Sequence, residues 1–317
     1  MSEFDETLQE IEAQLEDLPD YARYLRASGF GEGDPEKSII VGAGDSLACA
    51  QFIERLLDFG PRSIDPYDLY LNPAISKGKS VYFLSASGRT KSNVESAKAV
   101  SGIASDTIAI TANLESPLAR ICSRVLPLKF TKSPGLTPGT TSFTSSLLAC
   151  YHLFSGKVPQ LSKLNKFFAK AKQWTESQSE NAETVHIVAS DYLYPIAMYG
   201  TAKVFEFAGS KSDYQLTEEF SHVNLFSMKE GDLVVILSNG KDETAAKLSE
   251  ELNKRGYCAQ LLDLDEGNST PLEIAICASI HMQYFALGMA QRSGLGKPAF
   301  LTNQNLLEIS NRMIYYE

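Results

Sequence analysis

The sequence predicts an α/β protein of two doubly wound parallel-sheet domains, each a three-layer α/β/α sandwich. Three observations carry that expectation. Short apolar runs rich in Val and Ile each close in a turn of small residues and then enter a helix-period pattern, the alternation that right-handed parallel crossovers produce. The same order of strand, loop and helix appears a second time at corresponding places. A chain of 317 residues is also long enough for two cores of ordinary size.

Residues 1–36 read as an N-terminal helical segment: Phe4, Leu8, Ile11 and Leu15 recur at helical spacing, and the Gly/Pro-rich GFGEGDPE closes it. This is a helix for packing or subunit contact rather than for catalysis. Residues 37–158 make the first domain. Ser38–Val41 is a buried-strand run, Gly42-Ala43-Gly44-Asp45-Ser46 a turn, and LACAQFIERLLDF a helix. Leu47 stands where a GxGxxG dinucleotide fingerprint needs its third glycine, so the turn reads as backbone closely approaching a small ligand. Val81–Leu84 is the next strand. It runs into Ser85-Ala86-Ser87-Gly88-Arg89-Thr90 and a helix marked by Val94 and Ala97. Three hydroxyls, free backbone N–H groups and the positive end of a helix dipole would hold a phosphate there. The same hydroxyls could equally do no more than cap the helix. TIAITAN and VLPLKF are further strands around the helix SPLARICSRV. The loop 131–144, TKSPGLTPGTTSFT, runs into SSLLACYHLF, and Thr140 within it is a possible substrate contact.

From 159 to 184 the chain turns polar, and a connecting helix is expected. Residues 185–292 then repeat the plan. Val185–Ser190 with PIAMYGTAKVFEFAG answers the first strand and helix, Leu233–Gly240 with KDETAAKLSEELNKRG the second, and CAQLLDLDEGNSTP the third. The second copy lacks the full set of hydroxyls, so only the first domain is expected to hold phosphate. TPLEIAICASIHMQYFALGMAQ is apolar nearly all round and belongs between layers or at a subunit contact, with His281 as a satisfied core residue. Residues 293–317 form a C-terminal tail whose aromatic end must pack on something.

Composition excludes several classes. A net charge of −10 with no Lys/Arg run argues against a nucleic-acid or anionic-membrane surface. No apolar run approaches transmembrane length and the N-terminus is acidic, so a cytoplasmic protein is expected. Five scattered cysteines and four histidines show no metal-ligand spacing. The cysteines read as small buried apolar residues, and no metal is expected.

If PIAMYGTAKVFEFAG is one helix, Tyr199, Lys203 and Glu206 share a face at i, i+4 and i+7. Ionisable groups amid apolar neighbours are costly unless solvated or used, although a plain surface pair has the same spacing. His222 follows Glu206 by sixteen residues, in Glu218-Glu219-Phe220-Ser221-His222.

Over about residues 38–310 the chain resembles the double-SIS (sugar isomerase) family. The likeness is to the isomerase half of glutamine:fructose-6-phosphate amidotransferase and to archaeal relatives that include glucosamine-6-phosphate deaminases and phosphoglucose/phosphomannose isomerases. The resemblance implies flavodoxin-like domains and a sugar 6-phosphate held by Gly44, Asp45, Ser46, Ser85, Ser87, Gly88 and Thr90. It further implies a catalytic Glu206 with Lys203 three residues before it, and a ring-opening His222 with the acidic Glu219 three before it. Two departures matter. The chain starts MSEF, without the catalytic cysteine and glutaminase domain of the amidotransferases, so glutamine is not expected as nitrogen source. The tail PAFLTNQNLLEISNRMIYYE has no lysine to match the family's Schiff-base residue, Lys297 lying too early, and loop 137–144 lacks the usual Ser-Thr-Lys or Arg. The expected activity is aldose–ketose isomerisation of a hexose 6-phosphate through a cis-enediol(ate), with no cofactor. The family's placement of the residue matching His222 at a subunit contact implies a homodimer. The alternatives are a glucosamine-6-phosphate deaminase or fructosamine-6-phosphate deglycase, and a non-catalytic phosphosugar sensor.

Overall fold

Two all-parallel sheets organise the chain in the computed structural model, which describes residues 3–31, 33–133, 135, 137–178 and 181–316. Small parts of the expected N-terminal segment, of loop 131–144, of the connecting helix and of the tail (1, 2, 32, 134, 136, 179, 180 and 317) lie outside the described residues. The first sheet consists of β1 (Ser38–Val41), β2 (Arg62–Ile64), β3 (Ser80–Leu84), β4 (Asp106–Thr111) and β5 (Arg124–Pro127), in the order β2-β1-β3-β4-β5. β1 is buried along its whole length and β3 along all but its first residue, as their unbroken apolar runs require when helices cover both faces of a sheet. β1 lies beside both β2 and β3, with Val41 opposite Phe83. The winding therefore reverses between β1 and β3, the place at whose carboxyl ends open α/β sheets take their ligands.

The second sheet has the same logic. It contains β6 (Thr184–Ala189), β7 (Lys211–Leu216), β8 (Leu233–Ser238) and β9 (Cys258–Asp263), in the order β7-β6-β8-β9. Here the reversal falls between β6 and β8. β7 reads KSDYQL and is partly exposed throughout. On it, Asp213 stands directly opposite the buried His186 of β6, its carboxylate 2.9 Å from Nδ1, with Asp232 at 3.6 Å from Nε2. Burial opposes charge on this imidazole, but the Asp213 hydrogen bond and the two carboxylates outweigh it and raise the pKa.

The chain divides into two compact units. One comprises Ala13–Lys132, Gly139–Gln160 and Asn303–Glu317 and holds the first sheet; the other comprises Met1–Glu12, Ser133–Pro138 and Leu161–Thr302 and holds the second. The N-terminal helix Glu3–Ala27 contributes its first residues to the latter and the rest to the former. In the first unit the Tyr21 hydroxyl donates to the Pro127 carbonyl at 2.8 Å. The aromatic end of the tail finds a partner there too: Tyr316 hydrogen-bonds Glu95, beside the ammoniums of Lys91 and Lys98.

In the second unit the helix Leu164–Glu176 packs on the helix Pro271–Arg292. Trp174 lies 5.1 Å from Phe285 between ring centroids, and Phe168 stands edge-on to Tyr284. Helix Pro271–Arg292 begins with a Thr270/Glu273 capping box. By length and composition it could cross a bilayer, which corrects the expectation that no run reaches that length; its apolar window is entirely buried within the fold. His281 on this helix is buried as expected. Its Nδ1 donates to the Cys277 carbonyl at 2.8 Å, and burial lowers its pKa to about 4. Four cysteines are buried, but Cys258, at the start of edge strand β9, is exposed, against the expectation.

Candidate functional site

The residues expected to hold phosphate gather at the carboxyl ends of β1 and β3. After β1 the chain turns through Gly42 to Gly44, which sits at φ +56°, into the helix Asp45–Leu56. A Cβ at Gly42 would lie 2.7 Å from the Ser46 backbone, so the turn closes this tightly only with glycine. After β3, the Ser85 hydroxyl accepts from the Gly88 N–H at 3.2 Å and lies 3.4 Å from the Thr90 hydroxyl, while Ser87 accepts from the Arg89 N–H. Gly88 adopts φ +62°, and a Cβ there would run into the Ser116 hydroxyl.

Thr90 is the N-cap of helix Lys91–Val100, yet its side chain makes no capping hydrogen bond. Gly44, at the head of the neighbouring helix, supplies none either. The sequence had left open whether these hydroxyls merely cap a helix. Thr90 does not, and two helix N-termini without a side-chain cap follow adjacent strands, an arrangement suited to an anion. A third helix, Thr141–Ser155, starts nearby: a Cβ at Gly139 would stand 2.7 Å from the Asp45 carboxylate. Its N-cap, Thr140, is fully buried.

The residues expected to move protons belong to the second unit. Helix Tyr194–Lys203 continues into a π-helical turn, Val204–Ala208, and stops at Gly209 in the left-handed conformation. Such turns often mark functional positions because they re-aim the side chains that follow. Lys203 is 0% exposed and pairs with Glu206, whose side chain keeps 38% exposure. The Lys203 ammonium lies 5.0 Å from the centre of the Tyr199 ring, and the Tyr199 hydroxyl accepts from the buried Gln283 amide at 2.9 Å. A plain surface pair is thereby excluded. Buried as it is, Lys203 meets Glu206 rather than solvent. Gln283 was missed; the only hint was a carboxamide within an otherwise apolar helix.

His222 closes the short helix Thr217–His222 after β7. Its side chain is 69% exposed, and Nε2 lies 3.0 Å from the Glu218 carboxylate, one turn back. Glu219, the acid singled out from the sequence, is exposed, and the carboxylate that meets the imidazole is that of Glu218. Val223 and Phe226 beside it are exposed apolar residues. Among the described residues no group of three or more His, Cys, Asp or Glu side chains is arranged as a metal site.

A family model for the SIS domain matches residues 34–156, the stretch that carries the hydroxyl loop. No curated protein sequence matches the chain. Among solved structures, glucosamine-6-phosphate deaminase from Thermotoga maritima is similar with a TM-score of 0.77 at 20% identity, over 93% of this chain and 97% of that one. Tagatose-6-phosphate ketose/aldose isomerase from Escherichia coli gives 0.72 at 17%, over 92% of each chain. The C-terminal domain of glucosamine-fructose-6-phosphate aminotransferase from Francisella tularensis gives 0.70 at 17%, over 91% and 96%. The chain thus carries an SIS domain over residues 34–156, within a fold of two doubly wound sheets that it shares with these solved proteins along nearly its whole length.

Proposed function

We propose that the protein is a phosphosugar isomerase that interconverts the aldose and ketose forms of a hexose 6-phosphate. The observation that carries this reading is the Lys203–Glu206 pair, a buried ammonium holding a half-open carboxylate at a π-helical turn. In the proposed reaction the Ser85, Ser87 and Thr90 hydroxyls, with the turn Gly44–Ser46 at the start of the neighbouring helix, take the phosphate. The exposed His222 imidazole moves a proton between ring oxygen and anomeric hydroxyl and opens the ring. Glu206 removes the proton from C2 of the aldose, O1 gains a proton, and the resulting cis-enediol is reprotonated at C1 by the same carboxylic acid while O2 loses its proton. Lys203 acts through Glu206 by holding it in place, which leaves stabilisation of the enediolate oxygens to backbone N–H groups.

A deaminase reading shares ring opening and removal of the C2 proton by Glu206; with nitrogen on C2 the intermediate is an enolamine, which reprotonation at C1 turns into an imine that water hydrolyses to the ketose and ammonia. The similarity to a glucosamine-6-phosphate deaminase supports it, and ammonia release from glucosamine 6-phosphate separates the two. The test is Glu206→Gln. Turnover is expected to fall by ~10²–10⁴, the worth of a general base, with phosphosugar binding retained. Turnover within a factor of a few of wild type would remove Glu206 from the mechanism.

A further inference from the structure

The second sheet has a crevice of its own. A cavity of about 340 Å³ opens at the carboxyl ends of β6 and β8, where the winding reverses and open α/β sheets take their ligands. That volume is at the small end of ligand pockets and suits one monosaccharide.

Its lining is specific. Thr217 and Ser238 are 2% and 3% exposed. Thr217 accepts from the Ser190 hydroxyl at 2.8 Å and Ser238 from the Gly240 N–H at 3.0 Å, but neither hydroxyl donates to any group among the described residues. Both hydroxyls therefore keep a proton to give to whatever occupies the cavity, water or ligand. Lining the cavity with them are three carboxylates against one ammonium, Lys241: Asp191, Glu218, which also meets His222, and Asp242, which also caps the helix Glu243–Lys254, while Leu193 and Leu237 add apolar surface. A phosphate would satisfy the hydroxyl protons but meet an excess of negative charge. Ligand hydroxyls accept from Thr217 and Ser238 and donate to the carboxylates, and their C–H faces suit the leucines.

We propose that this cavity binds an unphosphorylated sugar, at a site separate from the hydroxyl loop of the first sheet, with Glu218 shared between its wall and the His222 pair. The test is methyl NMR of the full chain, following Leu193, Leu237 and Thr217 during titration with glucose, glucosamine and inorganic phosphate. Either sugar is expected to shift these methyls saturably with a Kd of about 1–10 mM, as a ligand of a dozen heavy atoms allows, while phosphate leaves them in place. Asp191→Asn suits the left-handed φ of +53° at that position, and Ser238→Ala removes one unspent donor; each is expected to weaken sugar binding at least about threefold, the loss of one weak polar contact. Saturable shifts with phosphate, no shift with either sugar up to about 100 mM, far above the weakest affinity expected, or sugar binding indifferent to both substitutions would overturn the proposal. Because the probes carry no reacting phosphosugar, this result is read apart from that of Glu206→Gln.

Discussion

Lys203 determines what Glu206 can be. An ammonium with no exposed surface is tolerated only when paired, and the pair it makes fixes the carboxylate on the π-helical turn. Lys203→Met keeps the length of the side chain and removes the anchor. We expect kcat to drop about tenfold or more, since small misplacements of a reacting group are costly, with KM little changed; equal losses through KM would point to a binding role instead. The i, i+3 spacing of this pair was legible in the sequence. Its burial was not, because the partner that closes over Tyr199 is Gln283, far along the chain on another helix. Two histidines make stability depend on pH in opposite senses. His186 has a raised pKa, so its contribution is full below its unfolded value of about 6.5 and is lost as pH rises through the higher folded value. Asp213→Asn should therefore lower Tm clearly at pH 6 and much less at pH 9; an equal deficit at both would show that the ion pair is not the cause. His281, with its pKa lowered to about 4, takes stability away as pH falls from about 6.5 toward that value.

At the scale of elements, the loops after β1 and β3 owe their shape to glycine. Gly88 combines a left-handed backbone with a Cβ position already taken by the Ser116 hydroxyl, so Gly88→Ala is expected to cost about 1–3 kcal/mol and to abolish sugar-phosphate binding. Denaturant unfolding and calorimetry with fructose 6-phosphate check both parts, and retained binding would show that the loop tolerates the change. Strands with continuous apolar runs, β1, β3, β6 and β8, were readable because burial on both faces demands such runs. β2 and β7 were not. One has only three residues, and the other, KSDYQL, is a half-exposed edge strand whose polar residues carry no strand signal. The π-helical turn is invisible for a related reason: its sequence, VFEFA, continues the helical pattern, and the extra residue is accommodated by packing.

For the whole molecule, two sheets with the same reversal of winding carry different chemistry in their crevices. The first offers hydroxyls at helix N-termini that no side chain caps, the second mostly carboxylates with two buried hydroxyls. The repeat of the plan was legible in the sequence, and so was the thinner set of hydroxyls in the second copy. The cavity there was not, since Ser190, Thr217 and Ser238 follow three separate strands and come together only through the sheet order. A chain that enolises a hexose 6-phosphate exchanges a carbon-bound proton of that sugar with heavy water. With glucose, mannose, fructose and glucosamine 6-phosphates followed by NMR, the wild-type protein is expected to place deuterium at C2 of at least one aldose or C1 of the ketose, whether or not a net product accumulates. Exchange at none of them, with the sugars bound, would show that the chain does not enolise hexose 6-phosphates.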